Sequence, residues 1–590
     1  MHSEDTRNLV IAIAIIIAMY LGYQIFLVGH VKPQPDLRTK QNIESSEEAA
    51  KPQGSVQGAA VPTPMEAAST VEARGTVLQR SPRIAVRAPR LRGSLRVEGG
   101  RLDDLTLVGY RQTVDKDSPD VVLLSPNGTE EPYYVDFGWQ PSRGSTIPVP
   151  GADTPWQTDS KVLAPDQPVT LTWDNGQGLI FTRTYSIDRN YMITVVDTVK
   201  NTGTAAVSLA PQSSINRIGV PETKHSAIIH EGMVGVFGKS LEHVSYKDMK
   251  KKWADQQSTA DAGKPVVTHQ STGGWLGITD KYWLVAVAPK QDELFYGGFD
   301  YSRSNGRDVY RSTYAGPIET VEPGGTVRTE KHLFAGAKET KLIDSYEDEY
   351  GIVNFDRAID WGWFYFLARP VFWLLEHIKA LVGNFGLAIL AITVLFKLAF
   401  FTLANKSYVA MGKMRKLTPK LTALRERYKD DPVKQREEMM KLYQTEKVNP
   451  ISGCLPMLVQ IPVFIALYQV LMVSIEMRHA PFYGWVKDLS GPDPLLVTNL
   501  FGLIPWHPPG FLAIGLWSLI MGVTMYVQQQ LNPPPPDPVQ AKVFRFLPLV
   551  FVFLFATFPV GLVIYWTWNN LLTICQQWVI MKRHGAFSQT

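Results

Sequence analysis

Residues 386–404 read GLAILAITVLFKLAFFTLA, nineteen residues with a single charge, Lys397, near the middle. A helix of that length covers roughly 28 Å, close to the hydrocarbon thickness of a bilayer. An ammonium at that depth is expensive unless a cavity, a partner or an escape to the interface relieves it. Two readings stand: Lys397 snorkels to the nearer edge, or it works inside a bundle.

Moving outward, stretches 451–473, 511–531, 543–558 and 561–581 are also apolar and of span length. The last two are separated only by 559–560, which predicts a tight helical hairpin at Pro559. At the other end, 9–28 holds twenty uncharged residues followed by GHVKPQPD, not a small-residue cleavage site, so it reads as an uncleaved anchor. Six spans follow. The stretch 351–385 mixes Trp361, Trp363 and Trp373 with Arg369, Glu376, His377 and Lys379, too polar to span but suited to the headgroup layer.

Loop charge sets the orientation. Twelve Lys or Arg fall in 405–448, against only Arg478 and Lys487 in 474–509, which places both termini in the cytoplasm. Within 405–448, Met414, Leu417, Leu421, Leu424 and Tyr428 recur at helical steps, and Asp430-Asp431-Pro432 stops one helix and starts the next. This is an antiparallel hairpin.

Several spans carry polar groups at similar depth. Pro456, Gln460 and Pro462 interrupt one, Thr524 and Gln528 to Gln530 end another, and Tyr565, Asn569, Thr573 and Gln576 share one face of the last. One such stripe usually means interhelical hydrogen bonds. Several at one depth, with a cation, predict a wet recess that opens to the cytoplasm. Its outer end would be closed by Phe551, Phe553, Phe555 and Phe558.

Between the anchor and the bundle the grammar is different. Residues 31–80 are poor in aromatics and read as a tether. From about 84 to 341, short alternating runs separated by turns, without a long run of helical period, predict a mostly β domain: Thr170 to Trp173, the turn Asp174-Asn175-Gly176 and Phe181 to Ile187 form a hairpin signal. Two packed sheets are expected, on the outer side of the membrane.

Composition excludes several classes. Lys plus Arg is 59 against 55 Asp plus Glu, too balanced to suggest specific nucleic-acid readout. Cys454 and Cys575 cannot build a disulfide framework. EGMVGVFGKS at 231–240 imitates a phosphate loop, but Met233 stands where that motif needs glycine. No metal-ligand, nucleophile or cofactor motif is found, so no catalytic residue, metal or cofactor is nominated.

The residues also carry a family resemblance. IDWGWFYFLARPVFWLLEHIKALVGNFG (359–386), KMRKLTPKLTALRERYKDDPVKQREEMMKLYQTEKVNP (413–450), ISGCLPMLVQIPVFIALYQVLM (451–472), MGVTMYVQQQ (521–530) and FPVGLVIYWTWNNLLTICQQ (558–577) together resemble the YidC/Oxa/Alb insertases. GGWLGITDKYWLVAVAP (273–289) and the anchor resemble the Gram-negative form with its large periplasmic domain. The resemblance implies a multi-domain chain: an α-helical polytopic membrane protein of six transmembrane helices plus an all-β periplasmic sandwich, a β-supersandwich similar to sugar-binding epimerase folds. Its parts would be an anchor (1–30), a tether (31–80), the β domain (81–345), an interfacial helix (351–385) and a five-helix core (386–585) carrying a cytoplasmic hairpin (406–448).

As function, the resemblance implies a non-enzymatic insertase and chaperone of the bacterial inner membrane, acting on nascent membrane proteins through a cytoplasm-open groove. Lys397 stands where the family usually has arginine, and Thr393, Gln460, Gln529, Tyr565 and Trp566 match groove or substrate-contact positions. Thr573 joins them from its own stripe. The ribosome would meet Lys413, Arg415, Lys416, Arg425 and Arg427 of the hairpin with Lys582 and Arg583 of the tail. Further implied partners are the Sec translocon, the signal recognition particle receptor and the lipid bilayer. A secondary transporter is the rival reading, but no internal repeat is visible. A membrane-anchored sugar-binding or sugar-active β domain is another, without a carboxylate and histidine constellation to support it.

Overall fold

The computed structural model describes Ala68 and residues 70–221, 229–258, 264–362, 364–446, 455–506, 508–532 and 538–583. The anchor at 9–28 and most of the tether lie outside the described residues. The chain divides into a β unit ending at Asp360 and a helical unit from Trp361 onward.

In the β unit, strand Leu179–Ile187 shows how the pattern becomes structure. Leu179, Phe181, Arg183, Tyr185 and Ile187 alternate inward, and the strand pairs antiparallel with Val169–Asp174 and with Met192–Asn201. The expected turn is present: Gly176 takes a left-handed φ of 69°, and its N–H donates to Asp174 Oδ1 at 2.8 Å. These strands belong to a nine-stranded sheet that continues through Thr326–Ala337, Trp283–Pro289, Gly274–Thr279, Gly232–Phe237 and Ser240–Ser245. EGMVGVFGKS is therefore a hairpin between two of these strands, with no helix N-terminus to receive a phosphate.

An eleven-stranded sheet lies against it, with Val207–Ile218, Tyr133–Pro141 and Arg101–Arg111 at its centre. Tyr133 donates its hydroxyl to the Ile278 carbonyl at 2.9 Å, and Phe137 meets Tyr185 edge-on at 6.1 Å, so aromatic side chains join the two sheets. Residues in the tether expected through Arg80 are already docked here: Glu72 N–H donates to Gly128 O at 2.8 Å and Arg74 pairs with Asp104. The reason is that charge pairing, which tether composition does not reveal, holds them. Residues 351–360 also belong to the β unit, where Phe355 packs edge-on against Trp275 and Phe334.

The helical unit comprises α1 (Tyr365–Val382), α2 (Phe385–Ala399), α3 (Phe401–Arg427), α4 (Pro432–Thr445), α5 (Leu455–Val473), α6 (Leu516–Leu531), α7 (Pro538–Leu554) and α8 (Val560–Arg583). Helix α1 ends on Gly383, whose left-handed φ of 76° any side chain would resist, and Asn384 caps α2 by accepting from Leu387 N–H at 3.1 Å. The two helices bend by 118°. Phe366, Trp373 and Leu381 stay exposed along α1.

Two expectations change. The stretch 386–404 is not one helix: α2 ends at Ala399, and α3 runs from Phe401 without a further break through Arg427. No glycine or proline lies at 400–405 to stop α3, so it begins inside the expected span. The tight α7–α8 hairpin is also corrected. The turn Phe555–Thr557 and Pro559 swing the chain so that α8 packs its backbone chiefly on α6, while α7 reaches α8 through rings. Phe551 and Phe555 lie 5.9 Å and 5.2 Å from Trp566.

Among the described residues, one helix by itself, Gln540–Thr557, is long and apolar enough to cross a membrane, and α1 with α2 passes only as a bent pair. The polar residues and breaks that suggest a recess also lower the apolarity of the other helices.

Candidate functional site

Four helices of the helical unit meet around a cavity. Its polar lining is Thr393 and Lys397 of α2, Tyr408 of α3, Gln460 of α5, and Tyr565 and Asn569 of α8. Phe396, Phe400, Leu403 and Val463 supply an apolar wall. About 40 Å³ is open to water centres, room for a few molecules.

The sequence produces this geometry by helical spacing. Thr393 and Lys397 are one turn apart on α2, as are Tyr565, Asn569 and Thr573 on α8, so each helix offers a polar stripe to the other. Lys397 Nζ donates to Thr573 Oγ1 at 2.7 Å, and the Thr573 hydroxyl in turn donates to the backbone carbonyl of Asn569 at 2.7 Å. Gln460 donates to the Tyr565 hydroxyl. Thr393 spends its hydroxyl proton on Ile389 O at 2.6 Å, so it faces the cavity as an acceptor.

Two valences remain open. Asn569 Oδ1 is buried with no hydrogen-bond partner, and Lys397 has a hydroxyl partner but no carboxylate within ion-pair distance among the described residues. A cation beside an unfilled acceptor, in a small wet space with an apolar wall, is chemically suited to hold a polar or acidic group attached to an apolar chain.

Five of the seven expected groove residues thus come together: Thr393, Lys397, Gln460 and Tyr565 line the cavity and Thr573 holds Lys397. Two do not. Gln529 donates to the Phe544 carbonyl at 2.8 Å, joining α6 to α7. Trp566 lies in an aromatic cluster with Phe464, Phe551 and Phe555. That cluster continues through Phe558 to Tyr468, whereas Phe553 faces outward.

Sequence reasoning missed Tyr408, because it assigned that residue to the projecting hairpin. The hairpin itself is built as its spacing predicts. Leu417 and Leu421 of α3 pack on Tyr443 of α4, and Asp431 caps α4 by accepting from Lys434 N–H at 3.0 Å. Lys413, Lys416 and Arg427 are exposed, and Arg415 and Arg425 are half-buried. Packing of Ile580 on Tyr408 and Met411 brings Lys582 and Arg583 to the base of this hairpin.

A two-sheet β unit followed by a helical unit with an amphipathic, cation-bearing cavity defines a class: membrane-associated bundles carrying a large β domain. The comparisons narrow it. Residues 83–374 match the family described as the YidC periplasmic domain, and residues 377–586 match the 60Kd inner membrane protein family. The membrane protein insertase YidC of Beijerinckia indica is 48% identical over 99% of this chain and 97% of its own. That of Methylorubrum extorquens is 45% identical over 99% and 96%. A crystal structure of an active YidC insertase with its first transmembrane domain resolved covers 95% of this chain and 97% of its own, at 19% identity and a TM-score of 0.36. The chain belongs to the YidC family of membrane protein insertases, whose named relatives are insertases and not enzymes.

Proposed function

We propose that this chain inserts nascent proteins into the bacterial inner membrane by offering the cavity around Lys397 as a wet, cytoplasm-facing recess for the polar end of a membrane segment. The observation that carries this reading is the half-buried Lys397 ammonium, which has no carboxylate partner among the described residues, beside Asn569 Oδ1, which has no hydrogen-bond partner among them. A recess of this kind shortens the apolar distance that a polar tail must cross, and its open side lets the attached apolar segment pass into lipid. The chemistry needs no nucleotide.

The topology belongs to the same proposal: six spans with the anchor at 9–28, both termini cytoplasmic, and the β unit as a periplasmic supersandwich. It is supported by the charge asymmetry of the loops. The exposed cations of α3 and the α8 end suit the phosphate-rich surface of a ribosome, and the Sec translocon and signal recognition particle receptor are further partners on family grounds.

Thiol labelling tests the recess. With Cys454 and Cys575 replaced by serine, Thr393→Cys and Asn569→Cys should react with an impermeant thiol reagent from the cytoplasmic side, since thiolate formation needs water. Phe555→Cys should stay inert. Labelling from both sides would indicate a pore, and labelling from neither a dry bundle; each would overturn the recess.

A further inference from the structure

The connection between α5 and α6 carries a feature that the insertion site does not use. Its neck is closed: Val497 N–H donates to Ile514 O at 2.8 Å, Leu516 N–H donates to Leu495 O at 2.9 Å, and Leu496 bridges Gly515. Asp493, buried at the base, accepts from Leu495 N–H, from Trp517 N–H and from Trp485 Nε1 at 2.8–3.0 Å. From this neck the sequence Leu500-Phe501-Gly502-Leu503-Ile504-Pro505-Trp506 projects with Leu500, Phe501, Leu503, Ile504 and Trp506 all exposed, Leu503 to 82%. Leu500 and Phe501 hold left-handed φ of 49° and 60°, a backbone that bulky residues rarely adopt.

An exposed apolar tip has several possible occupants, and two observations select one. First, the tip satisfies its own backbone donors. The N–H groups of Leu500, Phe501, Leu503, Ile504 and Trp506 all donate to carbonyls of 496–504, and Gly502 N–H also reaches Asn499 Oδ1 at 3.0 Å. Such a loop can settle at the boundary of headgroups and acyl chains, where water still reaches its carbonyls, without stranding donors. Second, no Asp, Glu, Lys or Arg occurs from 494 to 536, so the tip lacks the charged rim that a protein-docking surface normally keeps. Trp506 beside an apolar tip is also the residue type favoured at the boundary between headgroups and chains.

We infer that Leu500 to Trp506 form a wedge whose side chains enter the lipid leaflet at the boundary of headgroups and acyl chains, at the α5–α6 connection, in the outer leaflet of the orientation proposed above. The wedge ties the ends of α5 and α6 to a fixed depth and so holds the cavity, at the other end of these helices, at its working depth. This rests on reading α5 and α6 as spans.

The test uses the full chain with Cys454 and Cys575 replaced by serine, reconstituted in phospholipid vesicles. Single cysteines at Leu503, at Val523 on the exposed face of α6 and at Val114 in the β unit are labelled with an environment-sensitive fluorophore. Lipids with a nitroxide high on the acyl chain are then added to the vesicles. Leu503→Cys should be quenched several-fold more than Val114→Cys, to a degree near that of Val523→Cys, and should emit at shorter wavelength. Quenching at Val523 without quenching at Leu503, as expected if the tip binds a protein or a second copy of this chain, would overturn the wedge and leave the spans standing. Quenching at neither would overturn both.

Discussion

Arg183 in the β unit and Lys397 in the helical unit are both cations in apolar surroundings, but among the described residues only Arg183 has a carboxylate partner. Its Nε donates to Asp197 Oδ1 at 2.6 Å, Lys331 Nζ donates to Asp197 Oδ2 at 3.0 Å, and all three side chains are out of water. Burial alone would raise the Asp197 carboxyl, but the Arg183 and Lys331 charges more than offset it and hold it below its ordinary range. Among the described residues Lys397 has the Thr573 hydroxyl as its partner, beside space for a few waters. A charge paired inside the fold serves the fold; one left open can serve a visitor.

The comparison breaks most visibly at Asp197. Asp197→Ala strands two buried cations, and breaking such a pair costs about 3–5 kcal/mol. Hydrogen exchange on the full chain should show the loss in strands Leu179–Ile187 and Thr326–Ala337, while insertion of a short-tailed substrate persists. If insertion fell in step with β-unit protection, the two units would not be separable in function.

Lys397 should respond in the opposite way. Lys397→Ala is expected to leave the fold intact and to slow insertion of substrates with acidic translocated tails by about tenfold to a hundredfold, the equivalent of about 1–3 kcal/mol at an effective dielectric near 20. Lys397→Arg keeps the charge and should be tolerated. Equal defects for acidic and neutral tails, read by protease protection of the tail, would assign Lys397 to packing.

A third contrast is in pH. His230 is pushed down to about 3 by burial and by His243, whose ring stacks on it at 4.4 Å. Its ordinary value is 6.5, so between these limits the unfolded chain binds the extra proton and stability is lost as pH falls from 6.5 toward 3. His230 is partly exposed, so on the order of 1 kcal/mol or less is expected between pH 6.5 and pH 5, below the full linkage of about 1.6 kcal/mol. Exchange protection of Gly232–Phe237 should drop over that interval, and His230→Phe should flatten the dependence.

What was legible in the sequence follows the range of each interaction. The alternation at 179–187, the hairpin steps from Met414 to Tyr428 and the Asp431-Pro432 start are local, and the structure has all three. The convergence of Lys397 on Thr573 was legible only as polarity at similar depth. The partners of Arg183 were not legible: Asp197 is fourteen residues away, but Lys331 is 134 beyond Asp197, and a cation in an inward row does not announce its counter-ion. Nor could sequence choose among Gln528, Gln529 and Gln530, because adjacent residues on a helix point about 100° apart. Of the expected α8 stripe Gln576 is absent from the cavity lining, and a second polar row, Asn570 and Gln577, went unread. Tyr565, Asn569 and Thr573 face the cavity side, while Asn570 and Gln577 make the interhelical hydrogen bonds to Thr524 and Asn532.

The smallest expected effect concerns the hairpin, where the fold rests on neither buried charge nor cavity. Asp431 is exposed and its carboxylate accepts from Lys434 N–H, with Pro432 at the first helical position, so Asp431→Ala removes one cap from α4 and leaves the proline in place. Loss of such a cap costs about 0.5–1 kcal/mol at an exposed helix start. The Leu417, Leu421 and Tyr443 contacts remain, and they carry most of the hairpin's stability. Exchange should therefore quicken only in the first turn of α4, with α3 and the strands unchanged. If Asp431→Ala instead loosened α3 as far as Tyr408, the hairpin and the cavity would be one cooperative element, and a partner bound at Lys413 or Arg427 could then reach the recess through α3 itself.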